Sequence, residues 1–75
     1  MINEIDTHQI IIKIPPKEIV YVDMIFKAYE GLAMLTISKK EKGVIFLDVT
    51  EGTHDDVLKI IKNLKNKIPL EIIKD

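Results

Sequence analysis

The sequence predicts an α+β fold in which four antiparallel strands form one sheet and two helices cover one of its faces. Segments with alternating apolar residues and segments with apolar residues every three or four positions follow one another in the order β-α-β-β-α-β. One register of the two middle strands also aligns apolar residues throughout, pairing Ile37 with Ile45, Leu35 with Leu47 and Ala33 with Val49. This element order is that of the ferredoxin-like fold.

The first strand and the first helix are separated by Pro15 and Pro16. Residues 8–14 alternate and predict a strand, whose core-facing residues are Ile10, Ile12 and Ile14. The prolines end this strand because they cannot donate to a sheet ladder, and proline also suits the first turn of a helix. Residues 17–30 predict that helix, and its expected buried arc consists of Ile19, Val22, Ile25, Phe26 and Tyr29.

Gly31 follows the predicted helix, where a left-handed backbone conformation is commonly required. We interpret it as a joint and not as a phosphate-binding loop, because no further glycines or Gly-Lys-Ser/Thr motif surround it. Residues 32–38 and 44–50 predict the two middle strands, with a polar turn at residues 39–43.

Thr53 and Asp56 predict a capping box at the start of the second helix. The expected buried stripe of this helix consists of Val57, Ile60, Ile61, Leu64 and Ile68. Pro69 ends the helix, and residues 70–73 predict a short last strand.

Composition narrows the classes of function. The 75 residues make one domain, 1–75, in which we expect residues 1–6 to be a flexible N-terminal segment. Cysteine is absent, the net charge is −1, and all eleven basic residues are lysine. These features disfavour thiolate metal sites, nucleic-acid binding and arginine-dependent phosphate chemistry. Without a membrane-length apolar run or a basic signal-peptide start, we expect a cytoplasmic protein that binds neither membranes nor a cofactor.

The second face of the predicted sheet is unusually apolar for a face turned to water. Alternation places on it Ile11, Leu32, Met34, Thr36, Val44, Phe46, Asp48 and Ile73. Val20 and Met24 of the first helix also lie outside its buried arc, beside Ala28. These residues are either scattered surface residues or an interface, and the interface set is Ile11, Val20, Met24, Leu32, Met34, Val44, Phe46 and Ile73. We expect a homodimer or another homo-oligomer, with Phe46 near the centre of a twofold interface.

Polar residues offer two weaker site hypotheses. Several lysines lie at the end of the domain that holds the first strand–helix loop and the hairpin. Together with a proline of that loop they form a candidate anion site, which consists of Pro16, Lys17, Lys39, Lys40 and Lys42. The alternative is that these lysines only complement helix dipoles and solvate turns. His8 and His54 are weak candidates for a metal site at the opposite end. No catalytic set emerges from the spacing of the residues.

The stretch IPPKEIVYVDMIFKAYEGLAMLTI resembles a short bacterial family that is described only as a domain of unknown function. The shared motifs are Pro-Lys-Glu-Ile at 16–19, Tyr-Glu-Gly-Leu at 29–32 and a Lys-Glu-Gly hairpin, which reads Lys-Glu-Lys-Gly here at 40–43. The resemblance covers about residues 13–70 and implies no activity. The element order is also similar to that of ACT regulatory domains, which bind amino acids near the first strand–helix loop. This chain departs from their Pro-Gly pair there.

Two functions are therefore expected from the sequence. The first is a small non-enzymatic interaction or regulatory module that self-associates through its apolar sheet face or its first helix. The alternative is an ACT-like sensor of an amino acid or an anion. RNA binding is disfavoured because Phe46 is the single aromatic residue of the second sheet face.

Overall fold

The computed structural model describes residues 7–29 and 31–75. Its strands and α-helices are β1 (Thr7–Lys13), α1 (Ile19–Ala28), β2 (Met34–Ile37), β3 (Val44–Thr50), α2 (His54–Lys65) and β4 (Glu71–Lys74). The strands form one sheet in the order β2-β3-β1-β4, with all neighbours antiparallel. The predicted ferredoxin-like arrangement is confirmed. Residues 1–6, expected to be flexible, lie outside the described residues, as does Glu30.

The apolar pattern did set the register of the hairpin. Leu35 pairs with Leu47 and Ile37 with Ile45, as predicted. Ala33 lies outside the ladder because β2 begins at Met34. A one-residue slip would exchange the two faces of the strand, so apolar residues on one face fix the pairing.

The core lies between one face of the sheet and the two helices. Its buried residues are Ile10, Ile12, Ile14, Val22, Phe26, Ile45, Leu47, Val49, Val57, Ile61, Leu64 and Ile68. Two residues predicted to face this core are exposed instead. Ile37 ends the edge strand β2, and Tyr29 follows the last residue of α1, so neither is fully covered by the helices.

Helix α1 is shorter than predicted at both ends. A 3₁₀ turn at Pro16–Glu18 precedes it, in which the Glu18 amide donates to the Pro15 carbonyl at 2.8 Å. At the other end, Tyr29 leaves the helical region with φ −107° and ψ 56°. Gly31 then has φ +90°, which confirms the predicted left-handed conformation.

The predicted capping box at α2 is wrong. Thr53 is the N-cap residue, but its side chain makes no capping hydrogen bond. Its Oγ1 instead accepts a hydrogen bond from the Thr50 amide at 3.0 Å. The ψ of Thr53 is −6°, whereas a capping side chain normally requires an extended residue. The hydroxyl is therefore turned back toward the end of β3.

A backbone hydrogen bond at Gly43 connects the β2–β3 hairpin to the residue that follows β1. The Gly43 carbonyl accepts a hydrogen bond from the Ile14 amide at 2.8 Å, and the φ of Gly43 is +86°. A Cβ atom at this position would collide with the Ile14 carbonyl oxygen. Only glycine allows the two backbones to approach so closely. This contact places the hairpin beside the β1–α1 loop.

Candidate functional site

Helix α1 presents apolar side chains on the side that faces away from the sheet. Val20 is 70% exposed and Met24 is 64% exposed, and Ala28 is exposed as well. These three residues, which we call the α1 stripe, are four positions apart and share one side of the helix. Val22 and Phe26 are buried on the opposite side. Helix α1 is therefore apolar on both sides, a pattern typical of a helix that is covered on both sides.

The charges of α1 are satisfied within the helix. Asp23 and Lys27 are its only charged residues, and their side chains form an i,i+4 ion pair at 3.1 Å. They lie on one flank of the α1 stripe and leave the stripe itself uncharged. Tyr21, which is exposed, lies on the other flank.

Helix α2 shows what a solvated helix of this domain looks like. Its exposed residues are all polar or charged, namely Asp55, Asp56, Lys59, Lys62, Asn63 and Lys65. Its apolar residues Val57, Ile61 and Leu64 are buried against the sheet. The difference between the two helices shows that the apolar outer side of α1 is not a general property of this surface.

A groove of about 390 Å³ separates the two helices. It is lined by Ile25, Ala28, Tyr29, Ile60, Asn63, Leu64 and Lys67. Ala28 belongs to both the groove and the α1 stripe. The apolar surface of α1 therefore continues into the groove toward α2.

The outer sheet face, meaning the face without helices, is less exposed than predicted. Val44 was expected to be part of an open apolar patch, but it is only 5% exposed within the single chain. Leu32 lies before β2 and packs against the core, so it also leaves the predicted patch. Phe46 and Ile11 pair with each other and are half-buried. Strongly exposed apolar side chains remain at Met34, which is 69% exposed, and at Ile73.

The strand registers divide the outer sheet face into three rows. These are Met34, Asp48 and Gln9; Thr36, Phe46 and Ile11; and Val44, Lys13 and Glu71. In the first row, Gln9 Nε2 donates to Asp48 Oδ1 at 3.3 Å, so Met34 adjoins a polar pair. Ile73 lies on the far edge strand, where the β1–β4 ladder is irregular. The apolar residues of this face are therefore interrupted by polar ones, unlike those of the α1 stripe.

The structure does bring the candidate anion-site residues to one end of the domain. The hydrogen bond between Ile14 and Gly43 joins the loop of Pro16 and Lys17 to the hairpin that carries Lys39, Lys40 and Lys42. Several backbone amides at this end are already used. The amides of Glu18 and Ile19 donate to proline carbonyls, and those of Lys40 and Glu41 donate to Ser38 Oγ. An anion would therefore be held mainly by the lysine side chains.

The two histidines lie together at the opposite end. The rings of His8 and His54 meet edge to face with their centroids 5.6 Å apart. His54 Nε2 lies 3.1 Å from the Asp75 carbonyl oxygen, and its Nδ1 lies 3.7 Å from Asp55 Oδ1. Within residues 7–29 and 31–75, no group of three or more side chains is arranged to hold a metal ion.

A comparison with family models assigns the chain to a family. The model of a domain of unknown function (DUF4911) matches residues 12–68. The chain belongs to the DUF4911 family. The match confirms the family resemblance read from the sequence, and it covers α1, the β2–β3 hairpin and α2. No curated protein and no solved structure matches the chain significantly.

Sequence reasoning found part of this DUF4911 surface and missed the rest. Val20 and Met24 were identified because they lie outside the buried arc of α1. Tyr21 and Lys27, on the flanks of the stripe, were not, although each lies three positions from Met24 and so on the same side of the helix. The groove to α2 depends on how two helices that are distant in sequence pack together, and no sequence pattern predicts that.

In the part of the DUF4911 domain that the structure describes, no helix has the length and apolar character needed to cross a membrane.

Proposed function

We propose that this DUF4911 domain is a non-enzymatic interaction module that self-associates into a homodimer and serves an assembly or regulatory role. The observation that carries the proposal is the α1 stripe, an uncharged row of exposed apolar residues on a helix whose other side is already buried. Monomers seldom leave such a surface uncovered.

The energetics favour covering this surface. Burial of apolar area contributes about 25 cal/mol per Å², so covering several side chains on each copy is worth several kcal/mol before the cost of association. Small domains have a free energy of unfolding of only about 5–15 kcal/mol, and often lie at the lower end. The free energy gained by dimerisation through α1 would therefore be a substantial fraction of the free energy of unfolding.

Light scattering at high micromolar concentration tests the proposal. We expect the mass of a dimer for the unmutated protein. The double variant Val20→Ser/Met24→Lys should have the mass of a monomer and keep its circular dichroism spectrum, because both side chains lie outside the core.

The matched control is Met34→Lys, which changes an equally exposed methionine on the outer sheet face. This variant should remain a dimer. A monomer mass for the unmutated protein at all concentrations would refute self-association.

A second candidate function is the binding of an amino acid or another anion in the manner of an ACT-like sensor. It is favoured by the Ile14–Gly43 hydrogen bond, which holds the hairpin lysines next to Pro16 and Lys17. It ranks second because nearby backbone amides already have acceptors.

Thermal shift with phosphate and with single amino acids tests this second function. A ligand that binds only the folded state raises the melting temperature, and an effect due to lysines should fade with added salt. Lys17→Gln/Lys40→Gln should abolish the shift, whereas Lys59→Gln on the outer side of α2 should not. No shift with any of these compounds at millimolar concentration would exclude the candidate.

A further inference from the structure

We infer that the two copies pack through an antiparallel pair of α1 helices, related by a twofold axis that passes next to Met24. This inference rests on the proposed self-association and specifies its geometry. The occupant of the α1 stripe is therefore the α1 stripe of a second copy of this chain.

The sizes of the stripe residues are complementary in this arrangement. In an antiparallel helix pair centred on Met24, a residue four positions before the centre faces a residue four positions after it on the other copy. Val20 of one copy therefore faces Ala28 of the second copy, so a branched side chain meets a small one. The same contact is repeated on the other side of the axis, as a twofold interface requires.

The flanks of the stripe are complementary as well. In an antiparallel pair the same flanks of the two helices adjoin, so the flank of Asp23 and Lys27 meets the same flank of the second copy. Asp23 lies one position before Met24 and Lys27 three positions after it, so the Lys27 ammonium group of one copy comes on the side of the Asp23 carboxylate of the other. Opposite charges that meet across an interface favour the orientation that pairs them. Because Lys27 also pairs with Asp23 at 3.1 Å in its own chain, its charge keeps a partner at the edge of the interface.

A parallel arrangement of the same helices lacks this complementarity. It would place the flank of Asp23 and Lys27 beside the opposite flank of the second copy, which carries Tyr21, so neither charge would gain a partner there. It would also place Ala28 beside Ala28 and leave a gap between the small residues. Interfaces set orientation through such differences in charge and shape complementarity. The antiparallel pair is thus the orientation that the residues of α1 select.

Because the chain contains no cysteine, a single introduced cysteine tests this geometry directly. A single Met24→Cys variant should form an intermolecular disulfide under mild oxidation, because its two copies meet at the axis and a disulfide requires Cβ atoms about 4 Å apart. On a non-reducing gel we expect cross-linking at least about tenfold faster than for Met34→Cys on the outer sheet face.

Two further variants distinguish the orientation. In the antiparallel pair, copies of Val20→Cys lie about 12 Å apart along the helix axis, as do copies of Ala28→Cys. Neither should cross-link efficiently alone, whereas a mixture of the two should. Efficient cross-linking of each variant alone would overturn the antiparallel arrangement.

Mass and cross-linking together separate the two levels of the proposal. A dimer mass with rapid cross-linking of Met24→Cys supports both. A dimer mass in which Met34→Cys cross-links rapidly and Met24→Cys does not refutes the α1 pairing while self-association stands. A monomer mass refutes self-association itself.

Discussion

Gly31 and Gly43 have nearly the same backbone conformation but different surroundings. Both have φ near +90°, a region that other residues rarely adopt. Apart from its two chain neighbours, no described residue has an atom within 4 Å of where a Cβ of Gly31 would stand, whereas at Gly43 that atom would collide with the Ile14 carbonyl oxygen. The first glycine is required only for its conformation, and the second is required also for its size.

This difference predicts unequal losses of stability. Gly31→Ala should lower the free energy of unfolding by about 1 kcal/mol, the cost of a left-handed alanine. Gly43→Ala should cost about 3 kcal/mol or more, because the hairpin must also move away from β1. Urea denaturation monitored by circular dichroism measures both values. Equal losses would mean that the contact between Gly43 and Ile14 is not maintained in solution.

At the scale of single elements, the start of α2 has the sequence of a capping box but not its hydrogen bonds. Thr53 and Asp56 have the spacing of a capping box, but the Thr53 hydroxyl bonds to the Thr50 amide instead of to the helix. Asp56 then contributes mainly as a negative charge in the first turn of α2, where it interacts with the helix dipole.

Because Thr53 and Asp56 act independently, we expect the effects of their substitutions on the free energy of unfolding to be additive. Thr53→Ala should lower the free energy of unfolding by about 1 kcal/mol through the lost hydrogen bond. Asp56→Ala should lower it by about 0.5 kcal/mol, an effect that added salt screens. The double variant should equal the sum within about 0.5 kcal/mol. A larger coupling in chemical denaturation would indicate that a capping box forms after all.

At the scale of the whole molecule, the two outward surfaces have different characters. The outer sheet face carries both polar and apolar residues in each of its rows, and Val44 is buried within the chain. The helical side carries the α1 stripe and the groove that continues from Ala28 toward α2. The helical side is therefore the one on which we place the interface.

If dimerisation of the protein is coupled to its folding, its melting temperature should depend on the protein concentration. If the dimer is more stable than the monomer, mass action raises the melting temperature as the protein concentration increases. The Val20→Ser/Met24→Lys variant should melt at the same temperature at all concentrations. Differential scanning calorimetry over a hundredfold range of concentration measures this. A constant melting temperature for the unmutated protein would contradict an association linked to folding.

The sequence by itself determined the elements and their arrangement. Local periodicity identified the four strands and two α-helices that the structure describes, and Gly31 marked the left-handed residue after α1. The apolar residues Leu35 and Leu47 set the β2–β3 register. These features are local, or depend on one face of a strand matching one face of its neighbour, so a pattern of residue types is sufficient to predict them. The exposure of Val20 and Met24 followed from the same periodicity.

Only the tertiary structure decided which apolar surface is open. Alternation assigned Val44 to the outer sheet face, but it could not show that Val44, which pairs with Lys13 of β1, is only 5% exposed. The register of β1 with β3 placed Asp48 beside Gln9 and interrupted the apolar patch next to Met34. The Thr53 hydroxyl and the Gly43 contact likewise depend on chain segments brought together by folding. Periodicity specifies the side on which a residue lies, whereas its neighbours across the fold determine how much of it meets solvent.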